Sequence, residues 1–66
     1  MHLTTLDYLK KALLDTQEKV RDFESYSKII EDGEIKSNFK AWAEEEGYQA
    51  SELQKLIAKH SDEELH

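Results

Sequence analysis

The stretch EDGE, residues 31–34, is the strongest break in a chain that otherwise has the composition of long helices. The 66 residues include no proline and only two glycines, and Ala, Leu, Glu, Lys and Gln are abundant. These residue types favour helices. Gly33 is suited to end a first helix in the left-handed conformation, and Asp32 to cap the next helix or to bond within the turn. The stretch therefore predicts a hairpin of two helices.

The capping residues at the start of the chain support this assignment. Thr4 or Thr5 is placed to cap helix one, and Asp7 completes a capping box with favourable charge in the first turn. A short turn makes the two helices antiparallel. We expect one all-α domain over residues 1–66, with helix one at about 6–30, the turn at 31–34, helix two at about 34–60 and an acidic, fraying tail at 61–66.

Each helix carries an apolar seam at heptad spacing, and the seam residues form the predicted core. They are Leu6, Leu9, Leu13, Val20, Phe23, Ile30, Ile35, Phe39, Trp42, Leu53 and Ile57. Other apolar residues beside the seams widen each stripe beyond what one neighbouring helix covers. A chain of this length buries only about 60% of its surface, and it has no cysteine to form a disulfide. We therefore expect a homodimer, or a higher homo-oligomer, in which two hairpins form a four-helix bundle.

Polar residues interrupt both seams at the same height of the hairpin. If the chain folds about residues 32–33, the numbers of facing residues sum to about 65, so Gln49 faces Thr16. The predicted polar layer consists of Thr16, Gln17, Glu46 and Gln49. One interpretation is that this layer sets register and oligomeric state. The other is a metal site in the bundle core, where Glu and Glu-x-x-His pairs supply ligands.

The segment FKAWAEEEGYQASELQKL, residues 39–56, resembles the second helix of a rubrerythrin-type ferritin-like half-domain. Gln49 stands at the position of the family's histidine. In helix one, the family's tyrosine falls on Phe23, and its glutamate on Gln17, or on Glu18 if the alignment slips by one. The resemblance covers about residues 9–57. The residues that match the family pattern in register are Phe39, Trp42, Ala43, Glu46 and Ala50.

This resemblance implies a ferritin-like four-helix bundle, which a single hairpin rebuilds by dimerising, and half of a di-iron site used for oxidation or iron storage. Of the family's ligands only Glu46 matches, and a neutral amide at Gln49 is a poor ligand for iron or zinc. We therefore expect no enzymatic activity and no catalytic, cofactor or metal site. The alternative is a residual di-iron carboxylate-type protein, with metal-binding or redox function, that holds iron or another divalent cation through Glu46, Glu18 and Gln49.

The balance of charged residues bears on which classes of partner we expect. Nine basic residues are dispersed among fifteen acidic ones, for a net charge of −6, so nucleic acid is not an expected partner. No apolar run approaches the roughly 20 residues of a membrane span, so we expect a cytoplasmic protein without a membrane partner. His2, His60 and His66 are expected on the surface. An assembly or protein-interaction role follows, with a small regulatory subunit that docks on a larger helical protein as a second alternative.

Overall fold

The computed structural model describes residues 3–64 as two antiparallel α-helices joined by a short turn, with side chains described for residues 3–61. Helix α1 spans Thr5–Ile29 and helix α2 spans Gly33–Glu64. No strand is present over residues 3–64. The predicted all-α hairpin is therefore confirmed. The predicted pairing of facing residues also holds, because Ala12 and Leu53 line one groove and Leu9 and Leu56 line another.

Helix α1 begins at the predicted capping box. The backbone N–H of Asp7 donates to the hydroxyl oxygen of Thr4 at 3.2 Å, and the backbone N–H of Thr4 donates to Oδ2 of Asp7 at 3.0 Å. These bonds satisfy two of the N–H groups that a helix start leaves without partners. Two interactions with Thr4 lower the pKa of Asp7 below its ordinary value. The larger effect comes from the backbone N–H of Thr4 and the smaller one from its hydroxyl. Thr4, rather than Thr5, is thus the cap.

The turn differs from the prediction at Gly33. Neither glycine has a positive φ, so the left-handed C-cap expected at Gly33 is wrong, and Gly33 is instead the first residue of α2. Helix α1 ends at Ile29, and Ile30 follows in extended conformation with its N–H donating to the Tyr26 carbonyl at 2.9 Å. The chain therefore turns through an extended residue. The predicted cap of the second helix is confirmed, because the Ile35 N–H donates to Oδ1 of Asp32 at 3.1 Å.

Helix α2 continues to Glu64, four residues beyond the predicted end at residue 60. The predicted end of helix two at about residue 60 is therefore wrong, fraying of residues 61–64 stays a prediction, and residues 65–66 lie outside the described part of the chain. The segment Ser61-Asp62-Glu63-Glu64 contains no glycine or proline. Without such a residue, nothing in the local sequence forces the backbone out of the helix.

The two helices meet through small side chains. The residues that are buried, within the described residues, are Thr16, Ser27, Ala43 and Ala50. The Ser27 hydroxyl is satisfied there, since it donates to the Glu24 carbonyl at 2.7 Å. Most predicted core residues flank this contact line and are half-buried, whereas Ile35 and Trp42 are 45% and 44% exposed. The core of the single chain is therefore a seam of half-buried side chains, and no large side chain among residues 3–61 is fully buried.

The shape of the hairpin shows how much surface it leaves uncovered. Its radius of gyration is 15.2 Å, against about 11 Å for a compact chain of 66 residues. Its accessible surface is 5420 Å², against about 4,300 Å² for a compact monomer of 7.7 kDa. The chain thus exposes about 1,100 Å² more than a compact monomer of its mass.

Thr4→Ala is expected to lower the free energy of unfolding by about 1 kcal/mol, because it removes the acceptor for the Asp7 N–H. Urea denaturation followed by far-UV circular dichroism measures the loss. Ser25→Ala is the control, since Ser25 is exposed inside α1 and makes no capping bond. Equal stability of Thr4→Ala and the parent chain would show that the capping box does not stabilise α1.

The contribution of the Asp7 carboxylate should also depend on pH. Its pKa is lowered on folding, so its stabilisation is fully present above the ordinary value of 3.8 and is lost as the pH falls through the lower pKa of the folded state. Asp7→Asn should therefore be less stable than the parent chain at neutral pH. The difference should shrink in acid, and a difference that stays constant across this range would contradict the assignment.

Candidate functional site

One face of the hairpin carries side chains spaced seven residues apart on both helices. Seven residues make nearly two turns, so residues at this spacing share one stripe of a helix. We call this surface the heptad face, and it consists of Thr5, Ala12, Lys19 and Tyr26 on α1 and Ile35, Trp42, Gln49 and Leu56 on α2. Tyr26, Ile35, Trp42 and Leu56 are between 43% and 49% exposed. The face therefore presents large apolar side chains that neither helix covers.

An aromatic cluster occupies the turn end of this face. It consists of Phe23, Tyr26, Phe39 and Trp42. The Phe39 ring meets Tyr26 and Trp42 edge to face, with centroids 5.3 and 5.4 Å apart. Such pairs contribute about 0.5–1.5 kcal/mol each beyond the area they bury. The cluster thus joins the two helices and also projects the half-exposed rings of Tyr26 and Trp42 from the heptad face.

A groove of about 480 Å³ occupies the same face toward the chain termini. Its α1 side is formed by Ala12 and Thr16, whose small side chains leave it open. Its α2 side is formed by Tyr48, Gln49, Glu52, Leu53 and Leu56. A second groove of about 350 Å³ follows, lined by Thr5, Leu9, Leu56, Lys59 and His60. The heptad face is therefore raised at one end and recessed at the other.

The predicted polar layer is only partly assembled in the single chain. Thr16 is buried, and it lines the larger groove together with Gln49, as the facing-residue rule predicts. Glu46 is half-buried, while Glu44 and Glu45 beside it are exposed. Gln17 is exposed and is not brought into this groove. The layer within one hairpin therefore consists of Thr16, Gln49 and the partly covered Glu46.

The residues of the possible metal site do not converge in one hairpin. Glu18 is exposed and lies two residues past Thr16, about 200° around the helix, so it points away from α2. Among the described residues, no three His, Cys, Asp or Glu side chains come together as metal ligands. His60 is half-buried at the smaller groove, and His2 and His66 lie outside the described residues. Metal binding through Glu46, Glu18 and Gln49 stays a hypothesis, because one hairpin does not bring these side chains together.

The opposite face of the hairpin is charged. A groove of about 390 Å³ there contains two lysines and two glutamates, and its lining is Val20, Glu24, Ser27, Lys28, Lys40, Ala43, Glu44 and Gly47. A Cβ atom added at Gly47 would meet nothing within 4 Å. The single hairpin thus gives no close helix approach that requires this glycine.

The larger groove is the feature that the sequence reasoning missed. Its signal was the pair Ala12 and Thr16, two small residues four apart that face Leu53 and Gln49. Since residues four apart lie on the same side of a helix, the pair removes volume from one place on the heptad face. Combined with the facing-residue rule, this spacing was sufficient to locate the groove.

Comparisons of the chain with protein families, with curated proteins and with solved structures find no match in any of the three. Within the part of the chain that the structure describes, neither helix has a stretch long and apolar enough to cross a membrane.

Gly47→Ala is expected to raise the free energy of unfolding by about 1 kcal/mol, because alanine favours a helix interior and the added methyl group meets open space. Urea denaturation at a fixed protein concentration measures the gain. Ala41→Gly, at an exposed position of the same helix, is the reciprocal control and should lose a similar amount. Destabilisation by Gly47→Ala would mean that another surface packs closely against this site.

Proposed function

We propose that the chain is a non-enzymatic helical hairpin whose heptad face binds the heptad face of a second copy. The resulting homodimer is a ferritin-like four-helix bundle with an assembly or protein-interaction role. The observation that carries the proposal is the exposure of large apolar side chains on this face, where Tyr26, Ile35, Trp42 and Leu56 are all at least 43% exposed. Exposed apolar patches of this kind mark protein interaction sites.

The dimensions of the hairpin support a second copy as the partner. Its extents are 51 × 24 × 12 Å, so the chain is a single layer of two helices. Stable domains consist of at least two packed layers around a core, and a second hairpin supplies the missing layer. A standard interface buries about 800 Å² per partner. The hairpin's excess exposed surface of about 1,100 Å², counted over the whole chain, is larger than this area.

The polar residues of the heptad face support a specific association. Gln49 on this face and the half-buried Glu46 beside it lie between the apolar ends of the face. Polar groups at such positions set register and oligomeric state in helical assemblies, at some cost in stability. The opposite, charged face and the net charge of −6 favour solubility of the assembled dimer.

Sedimentation equilibrium tests the proposal directly. At micromolar concentration the chain is expected to sediment with twice its monomer mass of 7.7 kDa. A helical, cooperatively unfolding monomer at this concentration would contradict the proposal.

A matched pair of variants locates the interface. Leu56→Asp places a charge on the heptad face and should abolish the dimer, because a buried carboxylate without a partner is strongly unfavourable. Leu14→Asp places the same charge on a leucine that is 63% exposed and points away from α2, and it should leave the dimer intact. Loss of the dimer in Leu14→Asp alone would assign the interface to the outer surface of α1.

A further inference from the structure

We propose that the two copies pair head to tail, with the aromatic cluster of each copy packed into the larger groove of the other. This inference rests on the proposed dimer and adds its orientation. It starts from the difference between the two ends of the heptad face. The turn end projects the rings of Tyr26 and Trp42, whereas the other end is recessed by the small side chains of Ala12 and Thr16.

The raised and recessed ends are symmetric about one level of the hairpin. On α1, Tyr26 lies seven residues after Lys19 and Ala12 seven residues before it. On α2, Phe39 and Leu53 lie seven residues, about 10 Å, to either side of Glu46. Lys19 and Glu46 are themselves at one height, since facing residues sum to about 65. A two-fold axis at this level, perpendicular to the helices, therefore superposes each cluster on the other copy's groove.

This symmetry pairs large side chains with small ones. With the axis in the interface plane, α1 of one copy packs against α1 of the second copy, and the two helices run in opposite directions. Tyr26 of each copy then meets Ala12 of the other. Along α2, Trp42 meets Gln49 and Ile35 meets Leu56. Each groove of about 480 Å³ then receives aromatic side chains. Protein interiors are packed without such voids, which favours an arrangement that fills both grooves.

The other two-fold arrangement places both turns at the same end. It sets one aromatic cluster against the other and one groove against the other. The raised ends would then hold the hairpins apart while the recessed ends enclosed two facing grooves. Close packing therefore selects the head-to-tail dimer over this arrangement.

The charges at the level of the axis do not favour this orientation. The ion pairs among the described residues are Lys11 with Asp15 and Lys55 with Glu52, so Lys19 and Glu46 do not pair within the hairpin. The head-to-tail axis places Lys19 opposite Lys19 of the second copy and Glu46 opposite Glu46, with the unlike charges on the diagonals. The packing of large side chains into the two grooves is therefore what favours a second copy in this orientation.

A single spin label in the turn measures the orientation. The chain has no cysteine, so Glu31→Cys gives one labelling site per copy. Fourteen or so residues separate the turn from the axis, so the head-to-tail dimer predicts a label-to-label distance of roughly 40 Å in double electron–electron resonance. A distance of about 25 Å or less would overturn the head-to-tail orientation and leave the dimer standing. Absence of a dipolar interaction, together with a monomer mass in sedimentation, would overturn both proposals.

Exchanging a small and a large side chain tests the proposed contact between Ala12 of one copy and Tyr26 of the other. Ala12→Trp fills the groove and is expected to weaken association by about tenfold or more. Ala41→Trp is the control, since Ala41 is exposed and points away from α1, and it should leave association unchanged. Combining Ala12→Trp with Tyr26→Ala should recover much of the lost affinity, because these side chains meet across the interface. Association in the double variant that is weaker than in Ala12→Trp alone would contradict the contact.

Discussion

Two packed helices can bury only the line along which they meet, so this hairpin leaves its larger apolar side chains partly exposed. The contact line is made of small residues, which let the helices approach closely: Thr16, Ser27, Ala43 and Ala50. Close approach places the larger seam side chains beside the line, where a third or fourth helix would be needed to cover them. The elongated shape and the excess surface have this common cause.

The two faces beside the contact line differ in chemistry. One groove contains Lys28, Lys40, Glu24 and Glu44, which are exposed and well solvated. The heptad face contains aromatic and aliphatic side chains around a short polar segment. Burial of apolar area stabilises association by about 25 cal/mol per Å² before the costs of ordering are subtracted. The heptad face combines half-exposed apolar side chains with two grooves, and burial of this surface is the proposed driving force for association.

Much of the hairpin could be predicted because its signals are local. The Thr4–Asp7 capping box and the Asp32 cap are short patterns with direct hydrogen-bonding consequences. Heptad spacing likewise separated the half-buried Glu46 from the exposed Glu44 and Glu45. The conformation of Gly33 was predicted wrongly, because a glycine between two helices serves equally as a C-cap or as a first helical residue. The end of α2 was misplaced because its last turns lack any stop signal.

The site was harder to predict because it depends on residues that are distant in sequence. The groove exists because the small residues Ala12 and Thr16 on α1 face Leu53 and Gln49 on α2, so its prediction requires both the pairing of the helices and the volume of each side chain. The rubrerythrin-type resemblance rests on one helix and on Glu46, and one hairpin brings neither Glu18 nor Gln17 to that residue. The bundle and any metal chemistry thus stay predictions about a larger assembly.

Thermal unfolding over a wide range of protein concentration shows whether the hairpin folds without a second copy. If folding requires the second layer that another copy supplies, folding and association are coupled. The midpoint measured by circular dichroism should then rise steadily as the concentration increases. A midpoint independent of concentration over a thousandfold range, with full helicity in the most dilute sample, would show that the hairpin folds alone and would contradict the proposed dimer.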